Sequence, residues 1–228
     1  MLDLIKDELK TIYARDPAAR NALEIFLCYP GFQAVLMHRA SNKLWGAGFK
    51  LIARFLANVA RFLTGVEIHP AANIGKNFFI DHAASVVIGE TATIGDNCTL
   101  YHEVTLGGTS WDKGKRHPTL GDNVVIGAGA KVLGPIYLKN GCRVGSNAVV
   151  VKSVNENSTV VGIPAREVEA ESETSYEKSS RAKFEPYGEI KGSTDPILEK
   201  ISELSAELDL LKKQIASIQS LSSNENDN

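Results

Sequence analysis

Net charge is close to absent: 25 Lys and Arg stand against 27 Asp and Glu in 228 residues, a formal balance of −2. So small an imbalance gives no footing for nucleic acid or an anionic membrane as partner. Long apolar runs are missing too. The opening MLDLIKDELK interleaves charges with leucines, unlike a signal peptide, and no stretch of eighteen apolar residues occurs. The expectation is a soluble, cytoplasmic protein. Cysteine is scarce. Cys28, Cys98 and Cys142 lie far apart with no CxxC pair, which argues against a disulfide framework or a zinc knuckle.

What the sequence does have is a repeat. From Ile68 onward an aliphatic residue recurs at a six-residue interval, through Ile74 and Ile80, then Ile88, Ile94, Leu100 and Leu106, then Leu120, Ile126, Val132, Leu138 and Val144. Glycine often follows directly, as at Gly75, Gly89, Gly95, Gly107, Gly121, Gly127 and Gly145. Six matches neither a helical period nor that of a lone strand. It fits a triangular solenoid with one short strand per hexapeptide, three strands per coil, aliphatic side chains stacked inside and tight corners between. Cys98 and Cys142 take the fifth hexapeptide place with Ala92, Val124, Ala130 and Ala148. They read as small structural hydrophobes.

The register breaks twice. Two residues, assigned to Val86–Val87, are added before Ile88, and eight are added between Leu106 and Leu120. The second insertion extrudes a loop, GGTSWDKGKRHPT, from Gly107 to Thr119. Loops leaving a rigid scaffold are where function tends to sit.

The flanks differ in kind. Residues 1–65 form an expected α-helical N-terminal region, with Asp16-Pro17 as a helix start and Pro30-Gly31 as a break. Residues 66–166 form the solenoid. Residues 167–195 are polar and aperiodic and read as linker. Over 196–222, Ile197, Ile201, Leu204, Leu208, Leu211, Ile215 and Ile218 alternate spacings of four and three, the seam of a coiled coil. A seam this short needs an oligomer to bring its strands together; a helix folded back on the solenoid is the alternative.

Unrolling the solenoid at eighteen residues per coil, corrected for the insertions, puts His82, His102, Ala128 and Ser146 in one column on one corner. Histidine supplies a base near neutral pH. Small residues above it leave a trough for a long, thin ligand.

The repeats resemble the hexapeptide-repeat transferases, whose solenoid is a left-handed parallel β-helix. The ordered motifs IDHA, VTLGGT and KRHP, with RDPA and GFQAVLMHR before them, resemble the serine O-acetyltransferase family over about residues 1–166. That resemblance implies acetyl transfer from acetyl-coenzyme A to the hydroxyl of L-serine, the first step of cysteine biosynthesis, without a metal. It implies His82 as general base and Glu67, where several members have aspartate, as the carboxylate that orients it. Asp16, Asp81, Arg116 and His117 are the implied serine-binding residues, carboxylates for the ammonium and guanidinium for the carboxylate. Gly108, Thr109, Ala128, Lys131, Ser146 and Arg166 are the implied coenzyme contacts.

By the same resemblance the chain is expected to be a homotrimer, with a dimer of trimers as the alternative, and L-cysteine is an expected feedback inhibitor. Family C-termini often enter O-acetylserine sulfhydrylase through a terminal isoleucine. The sequence here ends SSNENDN, so that complex is expected to be weak or absent. Two rival functions remain at this stage. One is acetylation of another hydroxyl acceptor such as homoserine, a sugar or an antibiotic. The other is a zinc-dependent hydratase resembling the γ-class carbonic anhydrases, whose HxxxxH spacing this sequence lacks. His102 reads as a pocket wall, and His38 and His69 as structural. Trp111 is either a cover for the coenzyme or an exposed loop tip.

Overall fold

A computed structural model describes residues 2–168 and, beyond them, residues 201–202, 204–208 and 211–212. They belong to two compact units, one within residues 1–191 and one within residues 192–228. In the first, four helices precede fifteen short strands among the described residues, numbered in chain order. The helices are α1 (Leu2–Arg15), α2 (Ala22–Cys28), α3 (Pro30–Gly46) and α4 (Lys50–Thr64).

The strands stack into three faces. The first holds β1 (Glu67–Ile68), β4 (Val87–Ile88), β7 (Thr105–Gly107), β10 (Lys131–Leu133) and β13 (Val149–Val150). The second holds β2 (Asn73–Ile74), β5 (Thr93–Ile94), β8 (Thr119–Leu120) and β11 (Tyr137–Leu138). The third holds β3 (Phe79–Ile80), β6 (Thr99–Leu100), β9 (Val125–Ile126), β12 (Arg143–Val144), β14 (Thr159–Val161) and β15 (Arg166–Val168). All pairings are parallel except β14 with β15. This is the left-handed parallel β-helix the six-residue period calls for, with β15 folding back at its end. Expected as linker from residue 167, the chain thus remains in strand through Val168. The rest of that expected linker lies outside the described residues.

The aliphatic residues of the six-residue series face in. Ile88, Leu106, Val132 and Val150 lie in successive coils of the first face, each no more than 2% exposed. Full burial of each such side chain contributes about 1.5–3 kcal/mol before the entropy of ordering is counted. Cys98 and Cys142 are fully buried in the same core cluster as Ala92, Val124, Ala130 and Ala148. Burial, the leading cause, pushes their thiols up to about 12 and about 11. Such thiols are inert.

Two local expectations are corrected. The added pair before Ile88 is not Val86–Val87, since Glu67 N–H bonds to Val86 O at 2.9 Å and Val87 N–H to Val104 O at 2.9 Å, both in ladder register. The extra chain sits at the corner instead, where His82, Ala83 and Ser85 have φ of 57°, 59° and 59°. Asp16 starts no helix. It follows α1, and its Oδ1 accepts the Ala18 N–H at 2.8 Å, while Asn21 caps α2 by accepting from Glu24 N–H. An aspartate before proline satisfies a turn as readily as a helix end, because the same side-chain oxygen reaches the same backbone donors. The break expected at Pro30-Gly31 falls one residue earlier, at Tyr29 between α2 and α3, and Pro30 opens α3, a proline needing no N–H partner in the first turn.

The helices are fastened to the first coils by half-buried cations. Arg15 donates to Asn97 O at 2.9 Å, Thr99 Oγ1 at 2.8 Å and Cys98 O at 3.1 Å. Arg39 donates to the carbonyls of Ile74 and Gly75, and pairs with buried Glu8 at 3.3 Å. His38 is 3% exposed beside this seam. Burial, then the Arg39 charge, lowers it to about 4, and burial, then Arg54, lowers His69 to about 4. The unfolded chain therefore binds more protons than the folded one between about pH 6.5 and pH 4. Stability from keeping these imidazoles neutral is complete above that window and is lost as pH falls through it. Glu8, raised by burial, works in the opposite direction but near the carboxylate range. Urea unfolding should give a midpoint that is flat near pH 7.5 and declines from pH 6.5 downward, and a flat midpoint to pH 5 would contradict this assignment.

In the second unit the described residues are helical, with Ile201, Leu204, Leu208 and Leu211 all exposed on the single chain. Ile197, Ile215 and Ile218 of the expected seam lie outside the described residues.

No helix among the described residues is long and apolar enough to cross a membrane.

Candidate active site

His82 lies on the corner between the third and first faces, between β3 and β4. The corners of the next coils, between β6 and β7, β9 and β10, and β12 and β13, carry His102, Ala128 and Ser146. Backbone bonds tie this column together: Gly129 N–H to His102 O at 2.9 Å and Asn147 N–H to Ala128 O at 2.8 Å. Beneath His102 the ladder partner is Ala84, which accepts from Glu103 N–H at 2.7 Å. The added residues thus push His82 out of the ladder and onto the edge. Its side chain is 67% exposed, and its ring meets that of His102 edge-on with centroids 5.7 Å apart. Left-handed backbone at non-glycine residues costs of order 1 kcal/mol each. A corner that carries three such residues and presents one imidazole marks a place where presentation outweighs local comfort.

Asp81 is half-buried beside it, Oδ2 lying 3.9 Å from His82 Nε2. Burial raises the Asp81 carboxyl; the His82 charge opposes this and the Asp16 charge adds to it. Asp16, after α1, is thus near enough to Asp81 for their charges to act on each other. The RDPA motif divides its labour: Arg15 pins the end of α1 to the solenoid, and Asp16, the next residue, is left within electrostatic reach of Asp81. Glu67 is the exception. Its carboxylate pairs with Arg61 at 3.1 Å, and among the described residues of the single chain it makes no hydrogen bond or ion pair with His82.

The second cluster is on another corner. The loop from Gly108 to Pro118 leaves the solenoid between β7 on the first face and β8 on the second. Arg116 makes a close ion pair with Glu90 and His117 is buried. Thr91 Oγ1 accepts the Arg116 N–H at 3.0 Å and the His117 N–H at 3.1 Å. Its own hydroxyl hydrogen is then free to point at His117 Nδ1, 2.9 Å away, which also accepts the Thr91 N–H at 3.2 Å. With Nδ1 accepting, the neutral ring carries its hydrogen on Nε2. Burial, then Arg116, lowers the His117 pKa and favours that neutral form. The ring lies on Gly89: a Cβ there would come within 2.0 Å of it. A cleft of about 470 Å³ is lined by Glu67, His69, Glu90, Gly108, Arg116 and His117, together with Arg54 and parts of β4 and β7. Glu90 and Thr91 were not anticipated from the sequence. They follow a repeat glycine, and only the return of the loop 26 residues later gives them partners.

The remaining expected residues divide between these places. Ala128 and Ser146 stand in the histidine column, and Lys131, at the start of β10, donates to the Glu103 carbonyl. Thr109 lies against Gly134, on the far side of the first face, next to Gly108. Arg166 begins β15 and is exposed. Trp111 is fully exposed on the loop. Among the described residues no three His, Cys, Asp or Glu side chains converge as a metal donor set.

A coiled stack of hexapeptides with an imidazole on one corner and an Arg-His loop on another is the architecture of hexapeptide acyltransferases. Residues 117–152 match the family described as bacterial transferase hexapeptide (six repeats). The chain is 55% identical over 166 residues to serine acetyltransferase of Mycobacterium tuberculosis, covering 73% of this chain and 72% of that one. It is 44% identical over 215 residues to serine acetyltransferase of Bacillus pumilus, covering 94% and 95%. Among solved structures, serine acetyltransferase of Neisseria gonorrhoeae superposes with a TM-score of 0.72 at 42% identity, over 74% of this chain and 66% of that one. A serine acetyltransferase in complex with cysteine superposes with a TM-score of 0.72 at 38% identity, over 74% and 70%. The chain belongs to the serine acetyltransferase family.

Proposed function

We propose that the chain transfers the acetyl group of acetyl-coenzyme A to the hydroxyl of L-serine, giving O-acetyl-L-serine and coenzyme A on the route to cysteine. The observation that carries this reading is the corner on which an exposed imidazole, His82, stands with Asp81 and Asp16 below a column of small residues. His82 removes the serine hydroxyl proton as the oxygen attacks the thioester carbon. The tetrahedral intermediate collapses with loss of the coenzyme A thiolate, which takes the proton back from His82. Asp16 and Asp81 face the serine ammonium, while Arg116 and the Nε2–H of His117 suit its carboxylate. L-Cysteine, of the same backbone charge pattern, competes for this pocket. The pantetheine arm follows the corner past Ala128 and Ser146, with Gly108 and Thr109 of the next protomer beside it and Lys131 and Arg166 toward its phosphates.

The two clusters lie on different corners, separated by one face of the prism, roughly 15–20 Å at about 3.3 Å per residue. One serine cannot touch both within a single chain. The proposed site is therefore shared: the His82 corner of one protomer meets the Arg116-His117 loop of the next, as three chains around a triad allow. Glu67 then orients His82 once its pairing with Arg61 gives way. The half-exposed apolar seam from Ile201 to Leu211 suits association of the C-terminal helices in the same trimer.

One experiment tests the reaction and the shared site together. Free-thiol release from acetyl-coenzyme A should be rapid with L-serine and far slower with homoserine or sugars. Co-expressed His82→Ala and Arg116→Ala chains should recover a fraction of activity that neither has alone. Preference for another acceptor would defeat the reaction assignment, and no recovery on mixing would defeat the shared site.

A further inference from the structure

Resting on Asp16 as a serine-binding carboxylate, we propose that Tyr29 is a positioning residue that holds this carboxylate in place for the substrate ammonium. The Tyr29 hydroxyl donates to Asp16 Oδ2 at 2.7 Å, while Oδ1 accepts the Ala18 N–H at 2.8 Å. Each oxygen thus has one fixed donor, and each keeps a lone-pair direction for a ligand. The need for such a clamp follows from the neighbours. Asp16 and Asp81 are close enough to act on each other electrostatically, and like charges without a ligand between them push apart. A lysine or arginine would hold Asp16 but compete with the incoming ammonium. A phenol orients the carboxylate and leaves its charge unspent.

Tyr29 is built to be rigid. It is the one residue between α2 and α3, its N–H bonds to Ile25 O at 3.2 Å, and its carbonyl accepts the Gln33 N–H at 3.1 Å. Preceding Pro30, it is restricted to extended backbone and has φ −104° and ψ 94°. Its ring packs against the cluster of Ile12, Ile25, Phe32 and Phe79. Phe79 lies two residues before Asp81 on the same strand end, so one small apolar cluster registers Tyr29, the end of α1 and the histidine corner together. Burial, then the bond to Asp16, raises the phenol above its ordinary pKa, which keeps the hydroxyl a donor throughout the working pH range.

The test is Tyr29→Phe, which keeps the ring in its cluster and deletes only the hydroxyl. The KM for serine should rise roughly ten-fold, the scale of losing a hydrogen bond to a charged group. The kcat, the KM for acetyl-coenzyme A and the thermal midpoint should stay near wild type. In an Asp16→Asn background the same substitution should change the serine KM less than two-fold, because the carboxylate it positions is gone. An unchanged serine KM in Tyr29→Phe, while Asp16→Asn alone raises it, would overturn the inference and leave the serine reading standing. An unchanged serine KM in Asp16→Asn would remove the underlying reading and this inference with it. Equal loss in both backgrounds, or a parallel fall in kcat and thermal midpoint, would assign Tyr29 to folding instead and overturn the proposal.

Discussion

Replacing His82 with alanine should lower kcat by about 10²–10⁴-fold, the usual contribution of a general base, with the fold intact. The second half of that expectation follows from the corner. His82 is two-thirds exposed and lies outside the backbone ladder. Its φ is 57°, a conformation alanine adopts with no more difficulty than its neighbour Ala83 already does. Circular dichroism and the thermal midpoint should therefore match wild type while thiol release collapses. The serine KM should change far less than kcat, since binding is assigned to Asp16, Asp81, Arg116 and His117. His102 provides the counter-case. Its ring meets His82 edge-on, yet its Nδ1 is buried without a hydrogen-bond partner. It cannot take over proton transfer from a position set back in the column, so His82→Ala should not be rescued by it. Residual turnover within ten-fold of wild type would mean that another group is the base.

The solenoid was legible because its signal is additive: a dozen inward aliphatic residues in one register leave little freedom for another winding. The column of His102, Ala128 and Ser146 followed by counting alone, but His82, counted into it, stands two residues before Ala84, the ladder partner of His102. Counting could not say where the two extra residues of that coil go, because Val86 and Val87 are as apolar as the ladder residues around them. The corner absorbs the extra chain since turns accept left-handed backbone and ladders do not. Asp16 was misplaced as a cap for a related reason: the chemistry of aspartate before proline is local, and a turn over Ala18 uses it equally well. Glu90 and Thr91 were invisible because an outward residue in a repeat has no partner until a loop inserted elsewhere returns to it. The separation of the histidine corner from the Arg116-His117 loop was likewise beyond a one-dimensional reading. Which corner an insertion leaves from is a matter of how many residues precede it in the coil.

The largest structural penalty in the site region should come from a single methyl group, in Gly31→Ala. An ideal Cβ on Gly31 would stand 2.1 Å from the carbonyl oxygen of Ile80 and 3.1 Å from its carbonyl carbon. Those are backbone atoms of β3, whose ladder partner is β6, so the obstruction cannot swing aside as a side-chain end would. The first turn of α3 must instead lift from the strand. Overpacking of this kind costs about 1–3 kcal/mol, sometimes more, and for a chain of this size each kcal/mol lowers the thermal midpoint by roughly 2–4 °C. The displacement also acts on chemistry. Tyr29 and Asp16 sit on the helical side of that contact, and Asp81 and His82 follow Ile80 directly on the other. Lifting α3 separates the two carboxylates assigned to the ammonium, so the serine KM should rise along with the loss of stability while the acetyl-coenzyme A KM holds. Gly46→Ala is the matched control: it lies at the other end of the same helix with nothing within 4 Å of an added Cβ, and alanine there should be neutral or stabilise by up to about 1 kcal/mol. If both substitutions leave the midpoint and the serine KM unchanged, α3 is not seated on β3, and the joint that brings Asp16 to the histidine corner does not exist in solution.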